Sequence, residues 1–134
     1  MTAASRLLPA RIEADYPISQ RLVDAYADVS GDRNPLHIDP AYAAGTRFGR
    51  TIAHGLMSLG FVSATLEARL GGLGRGEMEC AFTAPLYPGD SLHVALMLEP
   101  ETAQGPAPTY SCHCTVGERI VLKAKVVIHA RDGS

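Results

Sequence analysis

The stretch His54–Gly72, HGLMSLGFVSATLEARLGG, decides the fold. Residues 55–70 are apolar on nearly every side, and Glu67 and Arg69 interrupt them only near the end. A helix that is apolar all round is a buried helix. The glycine pair at 71 and 72 then ends it, because glycine accepts the left-handed conformation that closes a helix. We therefore expect one long helix in the middle of the core.

The sequence on both sides of this helix has an apolar period of two, which is typical of half-buried strands. Before the helix, RIEADYPI (11–18) alternates cleanly. After it, four further strands are predicted from residues that share a face: Met78, Cys80, Phe82 and Ala84; Leu92, Val94, Leu96 and Leu98; Tyr110, Cys112, Cys114 and Val116; Ile120, Leu122, Ala124, Val126 and Ile128. Five strands and one buried helix predict an α+β fold in which an antiparallel sheet wraps round the helix. Gly60 and Ala64, both small and four apart, would let the helix lie close to that sheet.

Length, composition and charge limit the class of protein. The chain has 134 residues, 46% hydrophobic and 19% charged, which predicts a single folded domain over 1–134. Its formal net charge of -2 argues against a nucleic-acid partner, which needs a basic face. We expect no membrane partner, because no apolar run reaches the length of a span. The first ten residues lack a secretory signal, and three cysteines cannot all pair, so we expect a cytoplasmic protein.

Two short helices are predicted between the first strand and the buried helix. Ser19 can cap the first, and Gly31 can end it. Asp39 and the proline after it predict the start of a second helix over 41–44. We expect the segment between them to be a turned loop, because Pro35 disfavours helix at the residue before it.

That loop, SGDRNPLHID (30–39), concentrates polar chemistry. Ionised Asp32 accepts hydrogen bonds, His37 donates or accepts, and Asn34 does both. Three such groups round a small cavity can polarise one water molecule, and an acid with an imidazole can move a proton near neutral pH. We predict no bound metal. The triplet Cys112-His113-Cys114 lies on a predicted strand, which places both thiols on one face and the imidazole on the other, so the three cannot bind one ion together.

The start of the buried helix adds a second feature. The first N–H groups of a helix have no partner inside it, so the one at Gly55 can stabilise a carbonyl oxygen that gains negative charge. A water-activating pair beside such a helix end suits addition of water to a carbon conjugated with a carbonyl, or the reverse elimination.

Three motifs together resemble the signature of the MaoC-like hydratases, the (R)-specific enoyl-CoA hydratases and their dehydratase relatives. They are YADVSGDRNPLHIDPAYA, IAHGLMSLG and FTAPLYPGDSL, and the resemblance covers nearly the whole chain. It implies a single hotdog fold, a homodimer, and interconversion of a trans-2-enoyl thioester with an (R)-3-hydroxyacyl thioester. It implies no metal or redox cofactor, since coenzyme A or the phosphopantetheine of a carrier protein is part of the substrate.

The resemblance also assigns roles to residues. The family's catalytic acid and histidine fall on Asp32 and His37, and the asparagine that orients the water falls on Asn34. The glycine whose N–H meets the thioester carbonyl falls on Gly55, and a polar residue near the acyl group falls on Ser63. Which of the acid and the histidine takes the water proton stays open, because the two are expected to titrate as a pair.

Several assignments have an ordinary alternative. His54 is a candidate for substrate binding, yet a structural residue at the helix start explains it as well. Ser63 is equally a packing residue. Four arginines are candidate contacts of the coenzyme A phosphates or ordinary surface residues: Arg47, Arg50, Arg69 and Arg75. Four apolar residues of the helix are candidates for lining the acyl site: Leu56, Met57, Leu59 and Phe61. We expect His93, His113 and His129 to be solvated residues of strand faces.

Three alternative functions remain on sequence grounds. The first is a biosynthetic dehydratase in polyketide or fatty-acid assembly, with an acyl carrier protein as partner. The second is a non-catalytic hotdog subunit, against which the intact set of acid, amide and imidazole argues. The third is a hotdog thioesterase, which would cleave the thioester instead of hydrating the alkene.

Overall fold

The computed structural model of the chain describes residues 7–71 and 75–129. Its helices are α1 (Gln20–Ser30), α2 (Pro35–Ile38), α3 (Pro40–Ala44) and α4 (Gly55–Leu70). Its strands are β1 (Arg11–Pro17), β2 (Arg75–Phe82), β3 (Ser91–Leu98), β4 (Thr109–Val116) and β5 (Arg119–His129). A 3₁₀ turn, Pro100–Thr102, lies between β3 and β4. The long helix is predicted to end at the glycine pair 71 and 72, and the second of these, Gly72, lies outside the described residues.

The five strands form one antiparallel sheet in the order β1-β3-β4-β5-β2. A hairpin turn with the left-handed Gly117 (φ 58°) joins β4 to β5, whereas the longer segment that contains the 3₁₀ turn joins β3 to β4. The sheet packs its apolar face on α4, which contacts β1 and β3. Ile12, Leu96 and Tyr110 from three strands are fully buried there. The predicted sheet round a helix is therefore confirmed.

Helix α4 buries one side rather than its whole circumference. Met57, Val62, Leu66 and Leu70 lie in the core. The opposite side is open in this chain: Leu56 is 66% exposed, and Gly60 and Ala64 are exposed as well. The expectation that these two small residues face the sheet is wrong. The apolar residues continue round the helix, so the pattern alone does not say which side meets the sheet.

The capping signals place the short helices. Ser19 caps α1 by accepting from the N–H of Leu22, and Gly31 ends it in the left-handed conformation (φ 80°). Asp39 caps α3 through the N–H groups of Ala41 and Tyr42. All three predictions are confirmed.

The loop predicted round Pro35 is wrong in one respect. Asn34 and Pro35 start a helical turn, α2, in which the Asn34 side chain accepts from the N–H of Leu36 at 3.0 Å. Proline at the first position of a helix has no N–H to lose and a suitable φ. The proline therefore begins a helix here instead of preventing one, and this turn carries His37.

Strand β2 forms an edge of the sheet and is exposed along nearly its whole length. Of the apolar residues predicted to share its face, Met78 is half-buried, Cys80 is exposed and Phe82 is 52% exposed. Ala84 lies beyond the strand end. Among the described residues no helix is long and apolar enough to cross a membrane.

Candidate active site

The loop between α1 and α2 holds Asp32 by local hydrogen bonds. Its N–H donates to Ser30 Oγ at 3.1 Å, and its Oδ1 accepts from the N–H of Asn34 at 3.3 Å. The carboxylate stays open to solvent, with 56% of the side chain exposed. Asp32 thus keeps its Oδ2 free of these local bonds and available to another group.

His37 is held in one orientation by the main chain. Its Nδ1 lies 2.8 Å from the carbonyl oxygen of Ile52. Because a carbonyl only accepts, Nδ1 carries the proton and donates, and Nε2 keeps the lone pair in the neutral ring. The side chain is 12% exposed, so most of the ring is removed from solvent.

The two predicted catalytic groups face each other. His37 Nε2 and Asp32 Oδ2 lie 4.0 Å apart, which is beyond a direct hydrogen bond. Both atoms are acceptors when the acid is ionised and the ring is neutral, so they have no proton to share directly. A water molecule that donates one proton to each satisfies both. The geometry therefore suits polarisation of one water, as the sequence predicts.

Asn34 lies beside this pair but has another task. Its Oδ1 caps α2, so that oxygen serves the backbone. Only the amide Nδ2 of Asn34 remains for a water or a substrate. The prediction that Asn34 orients the water stays a prediction, restricted to this one donor.

His54 is buried at 3% exposure directly before α4. Its Nε2 lies 2.9 Å from the carbonyl oxygen of Asp32, and its ring stacks on that of His37 with centroids 3.8 Å apart. The ring of Tyr26 packs against the His54 ring, with the two centroids 4.8 Å apart. His54 is thus in contact with both members of the pair, which spacing in the sequence does not indicate.

A cavity of about 530 Å³ opens beside the start of α4. Its lining includes Gly55, Ser58, Phe82 and Tyr87, and Arg47 stands on its wall. We call it the Gly55 cavity. It brings the predicted oxyanion glycine to a space large enough for an acyl thioester.

Other predicted site residues do not line the Gly55 cavity. Asp32 and His37 lie outside its lining, and so does His54, although Ile52, which holds His37 in place, is part of it. Ser63 lies further along α4, half-buried and also outside the lining. Ser58, which lies in the motif IAHGLMSLG but has no predicted role, is part of the lining and is 2% exposed.

Two arginines stack on aromatic rings of the cavity wall, and of the two only Arg47 itself lines the cavity. Arg47 lies over Phe48 at 4.7 Å, and Arg50 lies over Tyr87 at 4.4 Å. Both arginines are exposed, and among residues 7–71 and 75–129 neither has a carboxylate partner. Their charge is available to an anion, unlike that of Arg119, which pairs with Asp90.

Asp32, His37 and His54 bring three metal-ligating atoms within 4.8 Å of one another. Imidazole binds a metal in its own ring plane at about 2 Å. The two rings are stacked with planes only 26° apart, so one ion cannot lie in both planes at that distance. The stacked arrangement of the two rings therefore does not suit a metal shared by both, and the absence of a metal stays a prediction.

Two of the remaining histidines differ from the expectation of simple solvation. His93 lies between Asp15 (2.8 Å) and Glu13 (3.0 Å). These carboxylates, Asp15 foremost, raise its pKa. His129 lies 3.5 Å from a carboxylate of Glu77. His113 is exposed as predicted, while Cys112 and Cys114 are buried on the other face.

Comparison with known proteins places this arrangement in a family. The chain matches the model of the MaoC like domain over residues 8–105. It is 35% identical to a 3-hydroxybutyryl-CoA dehydratase of Methylorubrum extorquens, covering 83% of this chain and 72% of that protein. It is 34% identical to an (R)-specific enoyl-CoA hydratase of Rhodospirillum rubrum, covering 85% of this chain and 82% of that protein.

Solved structures agree. An (R)-hydratase from A. caviae superposes with a TM-score of 0.82 at 26% identity, covering 96% of this chain and 100% of that one. An R-hydratase from Pseudomonas aeruginosa in its unliganded form superposes with a TM-score of 0.79 at 31% identity, covering 96% and 84%. The hotdog fold and the hydratase or dehydratase function predicted from the sequence are confirmed. The chain belongs to the MaoC-like family of hydratases and dehydratases.

Proposed function

We propose that this chain adds water reversibly to a trans-2-enoyl thioester of coenzyme A and gives the (R)-3-hydroxyacyl thioester, without a metal or redox cofactor. The observation that carries the proposal is the 4.0 Å separation of Asp32 Oδ2 and His37 Nε2, with the His37 tautomer fixed by Ile52. Two facing acceptors of this kind hold and deprotonate water. This arrangement is better suited to a hydratase than to a protein that only binds the thioester.

The reaction balances with these groups alone. The pair takes one proton from the bound water, and the hydroxide oxygen forms a bond to the β-carbon. The electrons of the carbon–carbon double bond move toward the thioester oxygen, where the N–H of Gly55 stabilises the negative charge. The pair then delivers the proton to the α-carbon. In the dehydration direction the same steps run in reverse.

The test is loss of enoyl-thioester absorbance on mixing the protein with crotonyl-CoA. A decrease without release of free thiol supports hydration, and chiral analysis of the product should give the (R) isomer. Release of thiol at the same rate would instead indicate a thioesterase. His113→Gln, on an exposed strand face, is the matched control for variants of the site.

We propose coenzyme A as the carrier because Arg47 and Arg50 offer unpaired charge at the Gly55 cavity, where phosphates would lie. Arg47→Ala should raise the KM for crotonyl-CoA by about tenfold, the order of one charge-assisted bond. It should leave the KM for crotonyl-pantetheine, which lacks the adenine nucleotide, near its original value. Lys123→Ala removes an exposed cation elsewhere and serves as control. Equal effects on both substrates, or none, would favour a carrier-protein thioester.

We also propose a homodimer formed at the β2 edge. An unpaired edge strand is normally covered. Phe82 on this edge is 52% exposed, and Leu56 on the adjacent open side of α4 is 66% exposed. A second copy paired at β2 would cover both and would border the Gly55 cavity, which Phe82 lines.

Light scattering should therefore give twice the chain mass of 14.2 kDa. Phe82→Lys places a charge in the proposed contact and should shift the mass toward one chain, whereas Val29→Lys, at an even more exposed apolar residue of α1, should not. An active protein of single-chain mass would contradict the dimer. A cytoplasmic location stays a prediction from the sequence.

A further inference from the structure

His54 occupies an unusual place for its residue type. It is the N-cap of α4, where a serine, threonine or aspartate side chain would normally accept a backbone N–H. His54 makes no such bond. It is nevertheless buried at 3% exposure, so something other than capping accounts for a polar ring at this position.

The first contact of His54 reaches the main chain of Asp32. Its Nε2 lies 2.9 Å from that carbonyl oxygen, across 22 residues of sequence. Since a carbonyl only accepts, Nε2 carries the proton. The other nitrogen, Nδ1, is then a buried acceptor, and it has no partner among the described residues. This orphaned atom costs stability, which a residue kept only for packing would avoid.

The second contact of His54 is with His37. The two rings stack with centroids 3.8 Å apart and planes at 26°. His37 is thus fixed at two points, by the Ile52 carbonyl at its Nδ1 and by the His54 ring on its face. Tyr26 lies against the His54 ring at 4.8 Å and limits its movement in turn.

We propose that His54 is a positioning residue that sets the distance between Asp32 and His37. It is attached to Asp32 through a hydrogen bond and to His37 through a ring stack, so it holds both residues relative to the start of α4. The inference rests on the proposed hydration of an enoyl thioester. Displacing a catalytic group by about 1 Å can cost on the order of a hundredfold in rate. Loss of His54 should therefore lower kcat, while KM, which depends on the Gly55 cavity, should change little.

Three variants separate the two contacts. His54→Gln keeps a donor of similar reach and loses the ring. His54→Phe keeps a ring for the stack and loses the donor. His54→Ala loses both. We expect kcat for crotonyl-CoA to fall about tenfold in each of the first two and about a hundredfold in the third, with KM within about twofold of the original.

A purely structural role predicts something else. The variants would then lose thermal stability but keep the kcat of the folded fraction. Thr65→Val is the matched control, because it removes a buried hydroxyl of α4 that contacts Tyr16 Oη at 2.6 Å, far along the helix from His54. It should lower the melting temperature without changing kcat.

Retention of kcat within about twofold in both His54→Gln and His54→Phe would overturn the proposal, and so would a rise in KM alone. Should His54→Ala fail to fold, the Gln and Phe variants decide by themselves. Failure of the original protein to hydrate crotonyl-CoA or a longer homologue would refute the proposed function instead, so the two failures are distinguishable.

Discussion

Gly55 offers a sharp test, because two different reasons could forbid a side chain there. A Cβ at this position would lie 3.0 Å from Cε1 and 3.1 Å from Cζ of Phe82. Ordinary contact between carbons is about 3.5 to 4.0 Å. The ring would have to move by about half an ångström or more. The second reason is the proposed thioester oxygen at the N–H of Gly55, which a side chain would crowd.

The two reasons predict different magnitudes in different measurements. Overpacking costs about 1 to 3 kcal/mol of stability, and the lower end applies because the atoms nearest the new Cβ belong to the end of one side-chain ring and not to the backbone. Loss of one oxyanion donor costs about a hundredfold or more in kcat. Gly55→Val should thus lower the melting temperature by only a few degrees, with circular dichroism near that of the original protein, while turnover of crotonyl-CoA falls about a hundredfold.

The double variant Gly55→Val with Phe82→Ala separates the causes. Removing the ring relieves the clash, so stability lost through it should return in part. Turnover should stay low if the side chain crowds the thioester. Recovery of turnover in the double variant to the level of Phe82→Ala alone would refute the oxyanion role. It would show that contact with Phe82 is the only reason for a glycine at position 55.

Two further predictions concern proton chemistry. Asp32→Asn and His37→Gln should each lower kcat by about a hundredfold or more. The double variant should be little worse than either single variant, because the pair acts as a unit. Near-original activity in both single variants would show that the loop is structural. The second prediction uses Glu13 and His93. Hydrogen bonds, first from Arg11 and then from His93, lower the pKa of Glu13 to about 2, and carboxylates raise that of His93. This cluster should stabilise the fold most between about pH 4.5 and 6.5, with stability lost below as Glu13 protonates and above as His93 deprotonates. His93→Gln should remove the decline above pH 6.5 in urea unfolding, and an unchanged decline would contradict the assignment.

The sequence predicts the sheet, the long helix and the catalytic pair, because each depends on a local signal. Alternation marks the strands, and the motif brings Asp32 and His37 within five residues. The helical turn α2 was available from the same kind of signal. Asn34 and Pro35 repeat the cap-and-proline pattern that correctly predicts α3 at Asp39. A proline interrupts a helix from within but suits its first position, and Pro35 lies at such a first position.

The contacts of His54 and the exposed side of α4 had no such local signal. The bond from His54 to the Asp32 carbonyl spans 22 residues and uses a backbone atom, so no side-chain spacing predicts it. The open side that includes Gly60 depends on which face the sheet covers, and a helix with apolar residues all round gives no preference. Tertiary packing decides both features.

The short segment Ile52–Gly55 connects the whole site, and each of its hydrogen bonds there involves a main-chain atom. The N–H of Ile52 donates to Leu36 of α2 at 3.3 Å, and its carbonyl accepts from His37 at 2.8 Å. The N–H of Ala53 donates to Leu86 at 2.7 Å on the cavity side. His54 follows with its bond to Asp32, and Gly55 then opens α4. Because these consecutive residues hold the imidazole, the acid and the helix start together, a shift in any of them should disturb water activation and charge stabilisation at once.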